Sequence, residues 1–252
     1  MRNDYERIEA GERRHGVQAI SRAAAVLRAL ERAPQGLGIS EIALAAELPK
    51  STAHRIVAAL AEEELVAQTG DGRLRLGSGI ARLAAAEREA LGERLRPVLL
   101  DLRRALDETV DLAVLDGPSV RFVDQVPAPR RLRAMSSVGE LFPLHCTANG
   151  KALLAAMPVP KAEALLPKRL ERFTPKTIVS RARLFAELEA VRSRGVAFDR
   201  EEHTEGICAV GVAIYDGASA TAAISVPVPA PRFYGREGEL AAAVRKAAAT
   251  QA

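Results

Sequence analysis

Two runs of apolar residues at helical spacing lie close together between residues 39 and 62, separated by Pro49. The first run predicts a helix that begins at Ser40, a favourable N-cap residue, and ends before the proline. The second run predicts a helix with one buried face and one polar face. Ala53, Ile56, Val57 and Leu60 recur on the buried face, and Ser51, His54, Arg55 and Ala58 on the other. The pattern indicates a helix-turn-helix; a plain surface helix hairpin is the alternative.

A β-hairpin is predicted directly after these two helices. Residues 65–68 are a short apolar run, residues 69–72 (TGDG) are typical of a turn, and residues 73–76 (RLRL) alternate. This alternation predicts that the leucines face inward and that Arg73 and Arg75 point outward. A hairpin after a helix-turn-helix is a winged helix, whose second helix fits the major groove of DNA. We therefore expect both arginines to contact phosphates or the minor groove; ordinary solvation of a strand is the alternative.

Further helices are predicted on both sides of this unit. Residues 17–33 predict a first helix with Ile20, Leu27 and Leu30 inward, preceded by a charged, frayed tail at residues 1–15. Residues 78–92 are rich in alanine and predict a linker helix, and a second helix follows to about Asp107.

From Val110 onward the pattern is typical of strands interleaved with helices. Residues 110–116 and 120–126 predict a hairpin, residues 132–138 a third strand, and residues 207–228 a second hairpin that turns at 216–217. One helix is expected from Thr147 or Ala148 to Ala156, and another between Ser180 and Gly195. The predicted fold class is α+β, with an antiparallel sheet and helices against it.

Composition and charge add bounds to this interpretation. The 252 residues allow two modest domains, and 48% hydrophobic residues are enough for real cores. No apolar run approaches a membrane span, and the N-terminal residues lack a signal peptide's apolar segment, so a cytoplasmic protein is expected. The net charge is +4, yet residues 1–77 hold 11 Lys+Arg and 11 Asp+Glu. The case for DNA therefore rests on where the basic residues lie, not on their total.

The sequence resembles the IclR family of bacterial transcriptional regulators from about Val17 to about Val226. Matching blocks include VQAISRAAAVLRAL, LGISEIALAAELPKSTAHRIVAAL, LVAQTGDGRLRLG, VGELFPLHCTANGKALLA and GVAFDREEHTEGICAVGVAIYD, in the family's order. The resemblance implies a winged helix-turn-helix DNA-binding domain at 17–77 and a linker helix at 78–92. It implies a GAF-like effector-binding and oligomerisation domain at 93–252. The DNA contacts expected from pattern and resemblance together are Arg22, Ser40, Lys50, Ser51, Thr52, His54, Arg55, Arg73 and Arg75.

A small-molecule site is expected in the second domain. The segment HCTANGKALLA predicts a helix start, where free N–H groups and the helix dipole suit a carboxylate. The resemblance implies effector contacts at this turn, after the strand of FDREE, and on the last two strands. The sequence departs from the family in two places: Cys208 and Ala209 stand where many members have an Arg-Cys pair, and Pro227 replaces a polar residue. The expected effector contacts are Ala148, Asn149, Gly150, Asp199, Cys208, Ala209 and Ser225.

Three other functions are alternatives to a ligand-controlled regulator. An enzyme is not expected, because the chain lacks GxSxG, P-loop and HExxH motifs, and the acidic run of Asp199, Glu201 and Glu202 is typical of a solvated strand end. A DNA-binding protein without a ligand is disfavoured by the small polar turn at residues 148–150. A metal-responsive regulator remains the alternative, with His145, Cys146, His203 and Cys208 as possible zinc ligands.

The predicted mechanism follows from these elements. A homodimer or homotetramer binds a double-stranded DNA operator, with half-sites roughly 34 Å or a multiple apart. A small organic acid in the second domain changes the spacing of the winged helices through residues 78–92, and repression is the expected outcome. No cofactor and no membrane partner are expected.

Overall fold

The computed structural model describes residues 18–216 and 219–250. The predicted tail at residues 1–15 and Gly217 of the predicted turn lie outside the described residues. The chain divides into two compact units, residues 1–88 and 89–252. Within the described residues, no helix is both long enough and apolar enough to cross a membrane.

The N-terminal unit is a winged helix-turn-helix. Helix α1 runs through residues 18–31, α2 is Ile39–Ala45 and α3 is Lys50–Glu62. Strands β1 (Val66–Gln68) and β2 (Leu74–Leu76) pair antiparallel as the wing. The core joins all of these elements and consists of Val26, Leu30, Ile42, Val57, Leu60 and Val66, with half-buried neighbours.

The N-cap of helix α2 lies two residues earlier than predicted. Gly38 is its N-cap, and the Gly38 N–H donates to the Glu41 carboxylate across 2.7 Å. Ser40 is therefore an exposed residue of the first turn and not the cap. The Glu41 carboxylate satisfies the backbone N–H of the N-cap residue, and glycine is among the residues tolerated at an N-cap.

The first helix also differs from the prediction at one residue. Val26 and Leu30 are buried, but Ile20 is 71% exposed. Ile20 lies on the same helical face as Leu27, which is only half-buried at the edge of the apolar stripe. The expectation that Ile20 faces inward is wrong, because the centre of the stripe runs through Val26 and Leu30.

Helix α4 is a single helix, Ser78–Leu106, where the sequence predicted a linker helix and a separate second helix. Pro97 lies inside it. A proline within a helix costs roughly 3 kcal/mol. The burial of a leucine stripe after residue 90 outweighs this cost. The stripe consists of Leu91, Leu95, Leu99, Leu102 and Leu106.

The C-terminal unit is built on a six-stranded antiparallel sheet of order β5-β4-β3-β8-β7-β6. Its strands are β3 (Val110–Asp116), β4 (Ser119–Val126), β5 (Leu141–Pro143), β6 (Ala197–Arg200), β7 (Ile207–Asp216) and β8 (Ser219–Pro229). Its further helices are α5 (Ala148–Ala155), α6 (Val159–Leu165), α7 (Arg181–Arg194), α8 (Ala230–Phe233) and α9 (Glu237–Ala249). The α+β fold class is confirmed.

Each face of this sheet has its own core. Val110, Leu112 and Val114 belong to the core that includes α4 and α9, whereas Ala113 belongs to the core that includes α5 and α7. Because side chains two residues apart on a strand share a face, Asp111 lies with Ala113 on the face covered by α5. The functional site lies on that second face.

Two segments of this unit depart from the prediction. Residues 132–138 form no strand, and the edge strand β5 lies a few residues later. The large apolar residues of that segment, Leu132, Met135 and Val138, are exposed, so their hydrophobicity did not indicate a buried strand. By contrast, the predicted Thr147 start of α5 and the Ser180 and Gly195 ends of α7 are confirmed.

Candidate functional site

Helix α3 presents a basic, exposed face in the N-terminal unit. Lys50, Ser51, His54 and Arg55 are exposed, and Thr52 is half-buried. Within the described residues, these five side chains form no hydrogen bond or ion pair, so their polar groups are available to a partner. The opposite face packs into the core through Ala53, Val57 and Leu60. This arrangement is the one a recognition helix requires.

The two wing arginines have different environments. Arg75 is exposed on β2, as predicted. Arg73 precedes the strand, and its guanidinium donates to the Gly36 carbonyl across 2.8 and 3.0 Å and pairs with Glu41 at 3.1 Å. The Arg73 side chain is 40% exposed, and its guanidinium is bound at the surface by a carbonyl and a carboxylate of the unit itself. Of the other predicted positions, Ser40 is exposed on α2 and Arg22 is half-buried on α1.

A cavity of about 330 Å³ lies in the C-terminal unit between the sheet and the start of α5. Its floor contains two rows of paired residues. One row joins Asp111 to Ser225, which in turn pairs with Gly211. The other row joins Asp199 to Ala209 and Ala209 to Pro227. Five of the seven expected effector residues line it, namely Ala148, Asn149, Asp199, Ala209 and Ser225.

Gly211 allows α5 to approach the sheet. A Cβ on Gly211 would lie 2.9 Å from the carbonyl carbon of Ala148, too close for any side chain. The N-cap Thr147 hydroxyl accepts the Gly150 N–H at 3.2 Å and donates to the Pro143 carbonyl at 2.8 Å. The first turn of α5 is thereby held over the sheet, with its free N–H groups at the cavity.

The other two expected effector residues do not line the cavity. Cys208 is fully buried in the core on the opposite face of the sheet, because side chains alternate along β7. Ala209 takes the cavity position instead. Gly150 has a packing role, since a Cβ there would lie 2.3 Å from the Leu144 carbonyl oxygen.

Two buried carboxyl groups belong to the cavity wall. Asp111 accepts hydrogen bonds from Gln125 Nε2 at 2.7 Å and Ser136 Oγ at 2.9 Å, and burial raises its pKa to about 6. Asp199 accepts the Glu202 N–H at 2.7 Å, and burial raises its pKa to about 7. Both groups therefore change protonation close to neutral pH.

Several residues of the cavity wall were not expected from the sequence. Asp111 is the most informative, because a charged residue inside the apolar strand VDLAVLD is itself a signal of a polar site. Ser136 lies in residues 132–138, which were predicted to be a strand, and its sequence context does not indicate a polar site. The remaining missed wall residues include Phe122, Met135, Glu140, Phe142, Thr147, His203 and Thr204.

The four possible zinc ligands do not form a metal site. His145 Nε2 lies 2.9 Å from the Glu171 carbonyl, and His203 Nδ1 lies 2.9 Å from the Thr204 hydroxyl. Burial raises the pKa of the Cys146 thiol and, to about 11, that of Cys208, which disfavours the thiolates that bind zinc. Among the described residues, no group of three or more His, Cys, Asp or Glu side chains could hold a metal ion. The metal-responsive alternative thus has no structural support.

Family models match both units of the chain. The IclR helix-turn-helix domain matches residues 19–70, and the bacterial transcriptional regulator IclR C-terminal domain matches residues 83–251. The HTH-type transcriptional regulator Rv1719 of Mycobacterium tuberculosis is 51% identical over 237 residues, or 94% of this chain and 92% of that protein. The HTH-type transcriptional repressor AllR of Escherichia coli is 32% identical, covering 89% and 86% of the two chains.

A solved structure shares the architecture as well. It is an IclR homolog from Microbacterium hydrocarbonoxydans complexed with 4-hydroxybenzoate, with a TM-score of 0.60 and 25% identity, covering 92% of this chain and 96% of that one. The matched families and relatives are transcriptional regulators and not enzymes. From the helix-turn-helix to the last strand of the sheet, this chain belongs to the IclR family of bacterial transcriptional regulators.

Proposed function

We propose that this regulator is a sequence-specific repressor whose DNA binding is controlled by a small organic acid. The observation that carries the proposal is the cavity at the start of α5, where five residues expected from sequence converge. It has the concave shape and the few convergent polar groups that ligand sites share. Two relatives support the proposal: AllR is a transcriptional repressor, and the IclR homolog from Microbacterium hydrocarbonoxydans is complexed with an organic acid, 4-hydroxybenzoate.

The proposed DNA interface is the exposed face of α3 with the wing. Ser51, Thr52, His54 and Arg55 lie in the first half of α3, where side chains reach base edges. Lys50, Arg22 and Arg75 would neutralise phosphates, which supplies affinity without sequence choice. Ser40 remains a candidate phosphate contact, whereas the bound guanidinium of Arg73 leaves it a structural role.

The proposed effector binds with its carboxylate at the first turn of α5. Ala148 and Asn149 offer N–H groups that have no carbonyl partner within the helix. Asp199 is protonated in a large fraction of molecules near neutral pH, since its pKa is about 7. In that form it donates to a carboxylate and does not repel it.

Control of DNA binding requires that the ligand bind two states of the protein with different affinity. We propose that helix α4, which contains the boundary between the two units, transmits the change. The assembly is a homodimer or homotetramer, with the domain bounds 17–77 and 93–252 expected from sequence. A regulator of this kind acts in the cytoplasm, where its operator is.

The test combines ligand binding with DNA binding. The purified protein is screened by thermal shift against small carboxylic acids, because a ligand of the native state raises the melting temperature. An operator selected from random duplexes then serves in gel-shift titrations with the acid that binds. A change of at least tenfold in operator affinity is expected; unchanged affinity at saturating acid contradicts the proposal.

A variant separates the cavity from the DNA interface. Ser225 is 3% exposed and lines the cavity. Ser225→Ala should weaken the effect of the acid on operator binding and leave the affinity of the ligand-free protein unchanged. Equal loss of both would contradict a local role in the cavity.

A further inference from the structure

The wall of the cavity is rich in hydrogen-bond acceptors. Asp111, Asp199 and Glu140 contribute carboxyl groups, and none of the described residues that line the cavity is Lys or Arg. Asn149 is 1% exposed, and its Oδ1 has no hydrogen-bond partner. A buried acceptor without a donor is costly, which adds to the excess of acceptors around the first turn of α5. The cavity therefore fits a molecule that donates hydrogen bonds as well as one that accepts them.

Asp111 has unused capacity as an acceptor. It is 1% exposed and receives one donor on each oxygen, from Gln125 and from Ser136. An ionised carboxylate accepts about four hydrogen bonds. No cation pairs with Asp111 among the described residues, so burial of its charge is not offset by an ion pair. A further donor from a ligand would stabilise it.

Asp111 and the start of α5 lie at different ends of the cavity. Asp111 is on β3, while Ala148 lies over Gly211 on β7, with β8 between the two strands. Asp111 and Gly211 are therefore separated by two strand-to-strand spacings, which is roughly 10 Å. A ligand carboxylate next to Asp111 would be repelled, whereas one at the helix start would be attracted. The cavity thus orients a ligand that carries an acid at one end and a donor at the other.

We propose that the effector is a hydroxy acid, whose carboxylate binds at the start of α5 and whose hydroxyl donates to Asp111. This inference rests on the proposed organic-acid control and adds the second functional group of the ligand. It assigns Asp111 as the residue that selects hydroxylated acids over the corresponding unsubstituted acids.

The test measures the preference for a hydroxylated acid over the matching unsubstituted acid. If Asp111 had only a structural role, its substitution would not change this preference. The full chain is titrated by calorimetry with two matched pairs, 4-hydroxybenzoate with benzoate, and 6-hydroxyhexanoate with hexanoate. In at least one pair the hydroxylated acid should bind tenfold more tightly. Asp111→Asn should reduce this preference below threefold and leave the affinity for the unsubstituted acid within twofold.

The asparagine variant is chosen because the site can accept it. Its Oδ1 can receive the Gln125 donor, and its Nδ2 can donate to the Ser136 hydroxyl, which both donates and accepts. Asp116→Asn is the matched control, since Asp116 is on the same strand but does not line the cavity. This control should keep the preference of the original protein.

A third probe removes any dependence on the folding of the variant. 4-Methoxybenzoate keeps the oxygen of 4-hydroxybenzoate but cannot donate, so it should lose the advantage of the hydroxylated acid in the original protein. Equal binding within each pair, an undiminished advantage for 4-methoxybenzoate, or an unchanged preference in Asp111→Asn overturns the hydroxy-acid inference alone. No binding by any of the acids overturns the organic-acid proposal together with it.

Discussion

Lys151 and Glu202 form an ion pair inside the C-terminal unit, with Nζ 2.5 Å from Oε1 and the lysine side chain fully buried. Lys151 belongs to α5, and Glu202 follows β6. The backbone N–H of Glu202 also donates to Asp199 in the cavity wall. The pair therefore joins the helix above the cavity to the loop that holds one of its carboxyl groups.

Breaking this pair should strongly destabilise the C-terminal unit. Lys151→Met leaves Glu202 buried without a cation, and removal of one partner of a buried pair costs about 3–5 kcal/mol. Urea unfolding of the two proteins measures the difference. Lys176→Met is the control, because Lys176 pairs with Glu201 on the surface and its loss should have a much smaller effect. Equal losses in the two variants would contradict the importance of burial.

The wing arginines should separate stability from DNA binding. Arg75→Ala removes an exposed charge and should weaken operator binding by about threefold or more without changing the melting temperature. Arg73→Ala removes the donors to the Gly36 carbonyl and should destabilise the N-terminal unit by about 1 kcal/mol. Gel-shift titration and thermal unfolding of each variant measure both properties. If Arg73→Ala weakens operator binding and Arg75→Ala lowers stability instead, Arg73 is the phosphate contact.

Helix α3 should carry sequence recognition. Arg55→Ala should weaken operator binding by at least tenfold while the fold stays intact, because Arg55 is exposed and its side chain forms no hydrogen bond or ion pair with the described residues. Glu62→Ala, at the other end of the same helix, is the control and should leave specific affinity within about threefold. Unchanged operator affinity in Arg55→Ala would rule out α3 as the recognition helix.

Helix α3 was predictable because its pattern is local. Ala53, Val57 and Leu60 recur at helical spacing, so the sequence alone separates the buried face from the face of Arg55. Arg73 was not predictable in the same way, because its partner Gly36 lies 37 residues away in the chain. Long-range contacts of this kind do not appear in the local pattern of residues.

The same distinction holds for the cavity. Asp199 and Ala209 were expected from family resemblance, and the pairing of β6 with β7 brings them together. Asp111 joins them only because β3 pairs with β8, a contact between strands more than a hundred residues apart in sequence. The continuity of α4 was missed for another reason. Pro97 is a strong local signal for a helix end, but the tertiary burial of the leucine stripe outweighs it.

Gly150 should tolerate no side chain. A Cβ at this position would lie 2.3 Å from the Leu144 carbonyl oxygen and 2.5 Å from the Leu144 Cα, both of which are backbone atoms that cannot rotate away. Gly150→Ala should therefore cost about 3 kcal/mol or more in unfolding free energy, as expected for overpacking in a core. Gly238→Ala, on α9 with open space around it, should be neutral or stabilising. Comparable losses for both glycines would contradict the close approach.

The stability of the C-terminal unit should fall as pH rises from about 4 to about 7. Burial raises the pKa of Asp199 to about 7, so the native state keeps a proton that the unfolded state, with an ordinary aspartate, has lost. The native state then binds more protons, and its stability decreases with pH by up to about 1.4 kcal/mol per unit. Asp111, with a pKa of about 6, contributes in the same direction over a narrower range.

Urea unfolding of the original protein and Asp199→Asn between pH 5 and pH 8 isolates this contribution. The stability of the original protein relative to the variant should fall by about 3 kcal/mol as pH rises through 7, because the amide cannot ionise. Glu201, whose pKa is lowered to about 2 by Lys176, changes stability only below this range and acts in the opposite direction. A difference that does not change with pH would mean that Asp199 is ionised throughout. A carboxylate ligand would then have to bind beside a fixed negative charge, and the proposed position at α5 would lose its main support.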